Sequence, residues 1–208
     1  MPNPKLARAK QTYTDEARRL AAQSMAQLEE AKVTPDALTI SGVALCIAGS
    51  VAVFFEYLGW GFYWLGAVLF VVGSVLDILD GALARSRGIG SPFGAFLDST
   101  VDRVGEGFMI GAIGLVLMRH DQMWGVALAF AAVAGSFLVS YARARAEALG
   151  LRGDVGLGSR AERVVVITAG LVLAPWGVLP WAIALLTVTA WITVCQRILS
   201  VRTQLNER

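Results

Sequence analysis

Charged residues are scarce in this sequence. Asp, Glu, Lys and Arg together make up 16% of the 208 residues, whereas a soluble domain has about 25%. Apolar residues account for 56%, and they are gathered into long runs. Because a helix needs about 20 consecutive apolar residues to cross a bilayer, these runs argue against a soluble domain and indicate an all-α integral membrane protein.

Cysteine and histidine are also rare, which limits the kinds of site that the chain can hold. The two cysteines, Cys46 and Cys195, both fall inside apolar runs. We expect both to be buried free thiols that pack as small apolar side chains. The single histidine, His120, lies in a short loop with no second ligand at a suitable spacing. The sequence therefore argues against a disulfide framework and against a zinc site.

The apolar runs predict six transmembrane helices, near residues 38–58, 60–84, 94–118, 122–142, 162–177 and 179–199. They leave little chain for a second domain, so residues 34–208 are predicted to form one membrane domain. Capping signals mark two of the helix starts. Thr34 and Pro35 precede the first helix, and Ser159 with Glu162 has the spacing of a capping box before the fifth.

The N-terminal residues 1–33 are polar and contain no apolar core of the length that a signal peptide needs. Within them, one side of a helix would carry Tyr13, Ala17, Leu20, Ser24 and Leu28, with charged residues on the other side. This spacing predicts an N-terminal amphipathic helix. It would lie either along the membrane surface or against the rest of the protein.

The basic residues are distributed asymmetrically along the chain. Lys and Arg lie in the N-terminal segment, in the loops after the second and fourth spans and in the C-terminal tail, whereas the other loops contain only Arg119. Because basic loops stay on the cytoplasmic side of a membrane, both termini are predicted to be cytoplasmic. We expect a multi-pass protein of the plasma membrane.

Four aspartates lie near the cytoplasmic ends of two consecutive spans. Asp77 and Asp80 close the second span, and Asp98 and Asp102 open the third. Residues three or four apart share one face of a helix, so two antiparallel neighbours can bring the four carboxylates together. Each charge inside the membrane costs about 2.5–3.5 kcal/mol or more. Divalent cations that prefer oxygen ligands, Mg²⁺ or Mn²⁺, would offset that cost.

Small residues lie beside these aspartates. Gly81, Ala84, Gly94 and Ala95 remove side chains from the same helix faces, and Arg85 is next to them. Close helix packing alone would explain such residues. Their position beside the carboxylates favours instead a bulky anionic ligand, such as a metal-bound pyrophosphate. Two metal ions about 3.5–4 Å apart would then clamp the attacking and leaving oxygens of a phosphoryl transfer.

The pattern D-x2-D-G-x2-A-R-x8-G-x3-D-x3-D, from Asp77 to Asp102, resembles the signature of the CDP-alcohol phosphotransferase family. The resemblance implies transfer of a phosphatidyl group from CDP-diacylglycerol to an alcohol, with release of CMP. It implies a homodimer in membrane lipid and no nucleic acid partner. Asp77, Asp80 and Asp98 would bind the metal ions, with Asp102 as a further ligand and the general base. The residues implied to line the CDP-lipid site are Thr34, Pro35, Thr39, Gly81, Ala84, Arg85, Gly94 and Ala95.

Basic residues after the fourth span bear on the acceptor. The segments 140–154, 159–163 and 194–197 resemble the phosphatidylinositol phosphate synthases of actinobacteria. This implies inositol 1-phosphate as the acceptor, with its phosphate bound by Arg143, Arg160 and Arg197. Glycerol 3-phosphate stays open as an alternative, because arginines grip any phosphorylated alcohol.

The charged residues admit two further interpretations. For Arg145, Arg152 and Arg163, the ordinary excess of positive charge at the cytoplasmic side accounts for their presence equally well. A cation transporter would also place carboxylates inside the membrane, commonly at an internal repeat. The second half of the chain contains no repeat of the aspartate pattern, so a transporter is disfavoured.

Overall fold

The computed structural model of the protein describes residues 34–157 and 159–207. In these ranges the chain is helical and contains no strand. The predicted amphipathic helix of residues 1–33 lies outside the described residues. Short 3-10 turns occupy Glu56–Leu58 and Ala174–Trp176. The α-helices are α1 (Pro35–Phe54), α2 (Gly61–Ser86), α3 (Pro92–Arg119), α4 (Met123–Ala148), α5 (Arg160–Val172) and α6 (Leu179–Asn206).

Four of these helices, α1, α2, α4 and α6, are long and apolar enough to cross a membrane. Helix α3 has the length but carries several charges in its first half, and α5 has only 13 residues. The structure thus supports a helical membrane protein, while the number of six spans stays a prediction. Helix α5 ends at Val172 instead of near 177, because a 3-10 turn containing Pro175 and a left-handed Gly177 follow it.

The capping signals in the sequence are confirmed. The Thr34 side chain accepts a hydrogen bond from the Ala37 amide (3.2 Å) and Pro35 begins α1. At α5, Ser159 and Glu162 form a complete capping box. Helix α3 begins with an equivalent pair, Ser91 and Pro92, before the predicted start at 94.

Helices α1 and α2 approach each other through glycines. A Cβ on Gly42 would lie 2.8 Å from the Gly73 carbonyl oxygen, and a Cβ on Gly49 would lie 2.9 Å from that of Gly66. Small residues of this kind let two membrane helices bring their backbones into contact. This close packing fixes the start of α1 against the end of α2, where the aspartates begin.

We expect the substitution Gly73→Ala to destabilise the bundle by about 1–3 kcal/mol, the usual cost of overpacking a core. The new Cβ would lie 2.5 Å from the Gly42 carbonyl oxygen, so α1 and α2 would have to move apart. Thermal unfolding in detergent measures the effect. The matched control is Gly111→Ala in α3, where a Cβ would meet nothing within 4 Å. Equal melting temperatures for the two variants would contradict this account of the α1–α2 contact.

The remaining packing gathers the functional ends of the helices. Helix α1 packs on α2 and α3, α4 packs on α3 and α6, and α5 contacts α2 and α6. The starts of α1, α3 and α5 therefore lie at the same end as the ends of α2, α4 and α6. Cys46 is buried in the core, as predicted, but the prediction for Cys195 is wrong, because it lies on the outward face of α6. Other large buried core residues are Phe70, Met109, Ile110, Ile113, Leu171 and Ile183.

At the end of the bundle away from the aspartates, an ion pair joins the end of α3 to the 3-10 turn after α1. Arg119 donates to the buried Glu56 carboxylate (2.8 Å) and to the Phe54 carbonyl (2.9 Å), and its guanidinium lies 4.6 Å from the Tyr57 ring centroid. His120 Nε2 is 3.4 Å from Glu56, so this histidine belongs to a structural contact.

Candidate active site

Three of the predicted aspartates come together between α2 and α3. One carboxylate oxygen from each of Asp77, Asp98 and Asp102 lies within 4.8 Å of the other two. Asp77 is buried, and the other two are partly buried. A set of ligands made only of carboxylate oxygens suits a hard divalent cation such as Mg²⁺ or Mn²⁺. The residues present therefore fit a divalent metal ion.

Arg160, at the first position of α5, reaches into this group. Its Nη1 donates to Asp77 Oδ2, and its Nη2 lies 2.5 Å from Asp102 Oδ1 without the alignment of a hydrogen bond. Asp102 Oδ1 is buried, and its contact with Arg160 is an ion pair. Arg103 lies 3.4 Å from the other oxygen of Asp102. The three carboxylates outnumber the two arginines that pair with them, and a bound cation would balance the remaining negative charge.

Asp80 stands apart from that group. Its Oδ2 accepts a hydrogen bond from the Thr39 hydroxyl, which also lies 3.1 Å from the Pro35 carbonyl oxygen. Both Asp80 and Thr39 are buried. The structure thus places three of the four aspartates within reach of one ion, and it joins the fourth to the start of α1.

A cavity of about 430 Å³ adjoins the aspartates and is bounded by α1, α2 and α3. Asp80 and Asp98 form part of its wall, and Arg85 supplies positive charge. Its lining includes every residue predicted for the CDP-lipid site, namely Thr34, Pro35, Thr39, Gly81, Ala84, Arg85, Gly94 and Ala95. The sequence pattern therefore identified residues that share one cavity beside the carboxylates.

The cavity also has lining residues that were not predicted from the sequence. They are Asp36, Ile89, Gly90 and Ser91. Asp36 and Ser91 lie at the starts of α1 and α3, and a Cβ on Gly94 would be 3.2 Å from Ser91 Oγ and 3.7 Å from Asp36 Oδ1. The capping positions were visible in the sequence, but their convergence on one cavity depends on how the helices pack.

The three arginines predicted to bind the acceptor phosphate have different partners. Arg160 contacts the aspartates. Arg143 is exposed and pairs with Glu147 (2.8 Å) one turn along α4. Arg197 is buried and donates to two backbone carbonyls, those of Val139 in α4 and Val155 in the following loop (2.9 Å for Val155). Arg197 thus connects α6 to α4 and to the loop after it, a structural role that the sequence did not indicate.

The loop between α4 and α5 is fastened to α6. The Gln204 amide exchanges two hydrogen bonds with the Arg152 backbone (2.9 and 3.0 Å), and Gln196 accepts one from the Leu157 amide (3.3 Å). The Arg152 side chain itself is exposed and lies 3.4 Å from Asp154. For Arg152, the interpretation as ordinary cytoplasmic charge therefore fits the structure.

For Arg163 that interpretation is wrong. Its side chain is buried and forms two parallel hydrogen bonds with the Glu106 carboxylate, Nε to Oε1 at 2.7 Å and Nη2 to Oε2 at 3.0 Å. Glu106 was not predicted from the sequence. An acidic residue one turn beyond Asp102 in an apolar helix was the available signal, because ionisable groups inside a membrane are commonly functional.

The fold and the site together are those of a helical membrane protein whose clustered carboxylates fit a divalent metal ion. The chain belongs to the CDP-alcohol phosphatidyltransferase family, which it matches over residues 32–200. It is 39% identical over 180 residues to the phosphatidylinositol phosphate synthase of Mycolicibacterium smegmatis, covering 83% of this chain and 79% of that one. It is 40% identical over 140 residues to the archaetidylinositol phosphate synthase of Methanothermobacter thermautotrophicus, covering 65% and 69%.

A solved structure shares this fold. The crystal structure of the Mycobacterium tuberculosis phosphatidylinositol phosphate synthase with CDP-DAG bound superposes with a TM-score of 0.79 at 33% identity. The match covers 88% of this chain and 94% of that one. A second structure of that enzyme contains manganese and citrate and matches with the same TM-score.

Proposed function

We propose that this protein transfers a phosphatidyl group from CDP-diacylglycerol to a hydroxyl of inositol 1-phosphate, forming phosphatidylinositol phosphate and CMP. The observation that carries the proposal is the aspartate group beside a cavity lined by the predicted CDP-lipid residues. Phosphatidylinositol phosphate synthases among the relatives favour this acceptor over glycerol 3-phosphate.

The aspartates hold the metal in this proposal. Asp77, Asp80 and Asp98 bind Mg²⁺ or Mn²⁺, two ions in each site, with Asp102 as a further ligand. When bound, the metal supplies positive charge that stabilises the phosphate oxygens during the transfer. The hydrogen bond from Thr39 orients Asp80. The donor lipid places its nucleotide and pyrophosphate in the 430 Å³ cavity, where small residues admit the phosphates and Arg85 balances their charge.

Asp102 acts as the general base. The acceptor hydroxyl oxygen attacks the phosphorus that carries the diacylglycerol, and the bond from that phosphorus to the CMP phosphate oxygen breaks. The hydroxyl proton moves to the Asp102 carboxylate. The support is the position of Asp102 in the family pattern and its place beside Asp77 and Asp98.

The acceptor phosphate is bound by Arg143, Arg160 and Arg197. The structural support is strongest for Arg160, because this arginine contacts both Asp77 and Asp102. An acceptor phosphate on Arg160 would bring the acceptor to the side of the site where Asp102 lies. Guanidinium groups hold phosphate with paired, charge-assisted hydrogen bonds.

The setting of the reaction is the plasma membrane. In this proposal the chain spans it six times, with both termini and the active site on the cytoplasmic side. The support is the excess of Lys and Arg at the end that carries the aspartates. A homodimer is proposed from the family resemblance.

An acceptor panel tests the proposal. Purified protein is incubated with CDP-diacylglycerol and Mg²⁺ or Mn²⁺, together with inositol 1-phosphate, inositol, glycerol 3-phosphate or serine, and the lipids are analysed by mass spectrometry. We expect metal-dependent CMP release and a phosphatidyl product with inositol 1-phosphate alone. A product with glycerol 3-phosphate alone would overturn the acceptor. No CMP release with any acceptor would overturn the enzymatic function.

A further inference from the structure

The Glu106–Arg163 ion pair connects α3 with α5 inside the bundle. Glu106 is 8% exposed and Arg163 is 5% exposed. Their two parallel hydrogen bonds, at 2.7 and 3.0 Å, are the bidentate arrangement that fixes distance and orientation together. An apolar contact would hold two helices together at least as well as a buried ion pair does. Stability alone therefore does not explain why a charged pair is found at this contact.

The position of the pair along both helices suggests that reason. Glu106 lies one turn after Asp102 on the same face of α3, and Arg163 lies one turn after Arg160 on the same face of α5. The contact of Arg160 with Asp102 and that of Arg163 with Glu106 are thus consecutive rungs between the same two helices. Any rotation or sliding of α5 that broke the second rung would also displace the first.

The pair lies outside the donor cavity. Neither Glu106 nor Arg163 lines the 430 Å³ cavity. The space next to Glu106 is a cavity of about 10 Å³ that it shares with Asp77, Asp102 and Arg160. That volume accommodates about one water molecule and no phosphate group. Arg163 also lines a separate cavity of about 210 Å³, whose lining contains none of the four aspartates and not Arg160. We therefore expect Glu106 and Arg163 to influence the reaction through the residues that they position.

Helix α5 needs a contact that fixes its rotation about its own axis. It has 13 residues, which makes it the shortest α-helix in the described ranges. A short helix has few side chains with which to fix its rotation. We propose that Glu106 and Arg163 are positioning residues that set the rotation of α5, so that Arg160 is held at the aspartates where the acceptor binds. This inference rests on the proposed function of Arg160.

The test compares two variants, Arg163→Lys and Glu106→Gln, with the unmodified protein. Lysine keeps the charge of Arg163 but loses its two parallel hydrogen bonds, and glutamine removes the charge of Glu106. For each variant we expect the KM for the acceptor to rise about tenfold, since small misplacements of a positioning group have effects of this size or larger. The KM for CDP-diacylglycerol should change by less than about twofold, because the pair does not line its cavity. An unchanged acceptor KM would overturn the proposal.

A matched control is available at the other end of the bundle. Glu56 and Arg119 form a similar pair, with the Glu56 carboxylate buried and a separation of 2.8 Å. The variants Arg119→Lys and Glu56→Gln should lower the melting temperature without changing either KM. If they raise the acceptor KM as much as Arg163→Lys does, the effect is one of general stability and the proposal fails.

A double-mutant cycle shows whether the pair acts through Arg160. Arg163→Lys should raise the acceptor KM in the unmodified background and have less than about a twofold effect once Arg160 is alanine, because the two changes share one route. Additive effects would overturn the proposal. The same four proteins are also compared by titration with Mn²⁺. Their Mn²⁺ affinity reports on the position of Arg160, because Arg160 contacts the proposed metal ligands Asp77 and Asp102.

The Mn²⁺ titration keeps the two proposals separate. We expect Arg163→Lys to change the Mn²⁺ dissociation constant about threefold in the unmodified background and to have no effect in Arg160→Ala. If the unmodified protein turns over no acceptor, the proposed function fails and this cycle still decides the positioning role. Equal effects in both backgrounds would overturn the positioning role while leaving the proposed function intact.

Discussion

The Asp102→Asn substitution should lower the rate of CMP release by about 10³-fold or more while largely preserving the binding of CDP-diacylglycerol, within the range that general-base catalysis contributes. Asparagine keeps the shape of the side chain but cannot take a proton from the acceptor hydroxyl. Asp77→Asn should behave differently, because Asp77 is assigned as a metal ligand with no role as a base. We expect it to weaken donor binding as well as turnover.

The measurements are single-turnover CMP release and CDP-diacylglycerol binding in detergent or nanodiscs. Asp154→Asn is the matched control, since Asp154 lies in the exposed loop before α5. The hydrogen bond from the Arg152 side chain lowers the pKa of Asp154, so this substitution also removes an ionised carboxylate near neutral pH. Its activity should be unchanged. If Asp102→Asn and Asp77→Asn lose donor binding equally, Asp102 is a metal ligand alone and the assignment as base is wrong.

Arg160→Ala should raise the KM for inositol 1-phosphate by about 30- to 100-fold, because charge-assisted hydrogen bonds contribute about 1.5–3 kcal/mol each when they are lost. The KM for CDP-diacylglycerol should stay within about threefold, since Arg160 does not line the donor cavity. Arg160→Lys should recover part of the loss, because it keeps the charge without the planar fork.

Arg152→Ala is the control for Arg160→Ala. It removes an arginine from the loop that leads into α5, and its side chain is 82% exposed. The acceptor KM should then be unchanged. If Arg160→Ala leaves the acceptor KM unchanged and lowers only the turnover, Arg160 serves as a counter-ion for Asp77 and Asp102 and binds no acceptor phosphate.

Features that depend on one helix could be predicted from the sequence. The caps at Thr34 and Ser159 are local hydrogen bonds between residues three apart, and the structure contains both. The aspartate pattern is likewise a matter of helical spacing plus one short loop, so it correctly brought Asp77, Asp98 and Asp102 together. The small residues beside them share a cavity for the same reason.

Features that depend on packing between distant segments could not be predicted in this way. Glu106 and Arg163 are far apart in the chain, and a lone arginine near a membrane surface looks the same in sequence whether it is solvated or buried. The buried position of Arg197, with its bonds to backbone carbonyls, depends on the path of the loop. The convergence of Asp36 and Ser91 depends on the close contact of α1 with its neighbours.

The fastening of the α4–α5 loop to α6 has an entropic consequence. The bonds of Gln204 and Arg197 to the loop, together with the capping box at Ser159, order the chain that leads to Arg160 before any acceptor arrives. Immobilising a side chain of this kind on binding costs about 0.5–1.5 kcal/mol. Here that freedom is already lost when the protein folds. If Arg160 binds the acceptor phosphate as proposed, the phosphate meets a preorganised arginine, and its affinity gains from the entropy that binding no longer has to remove.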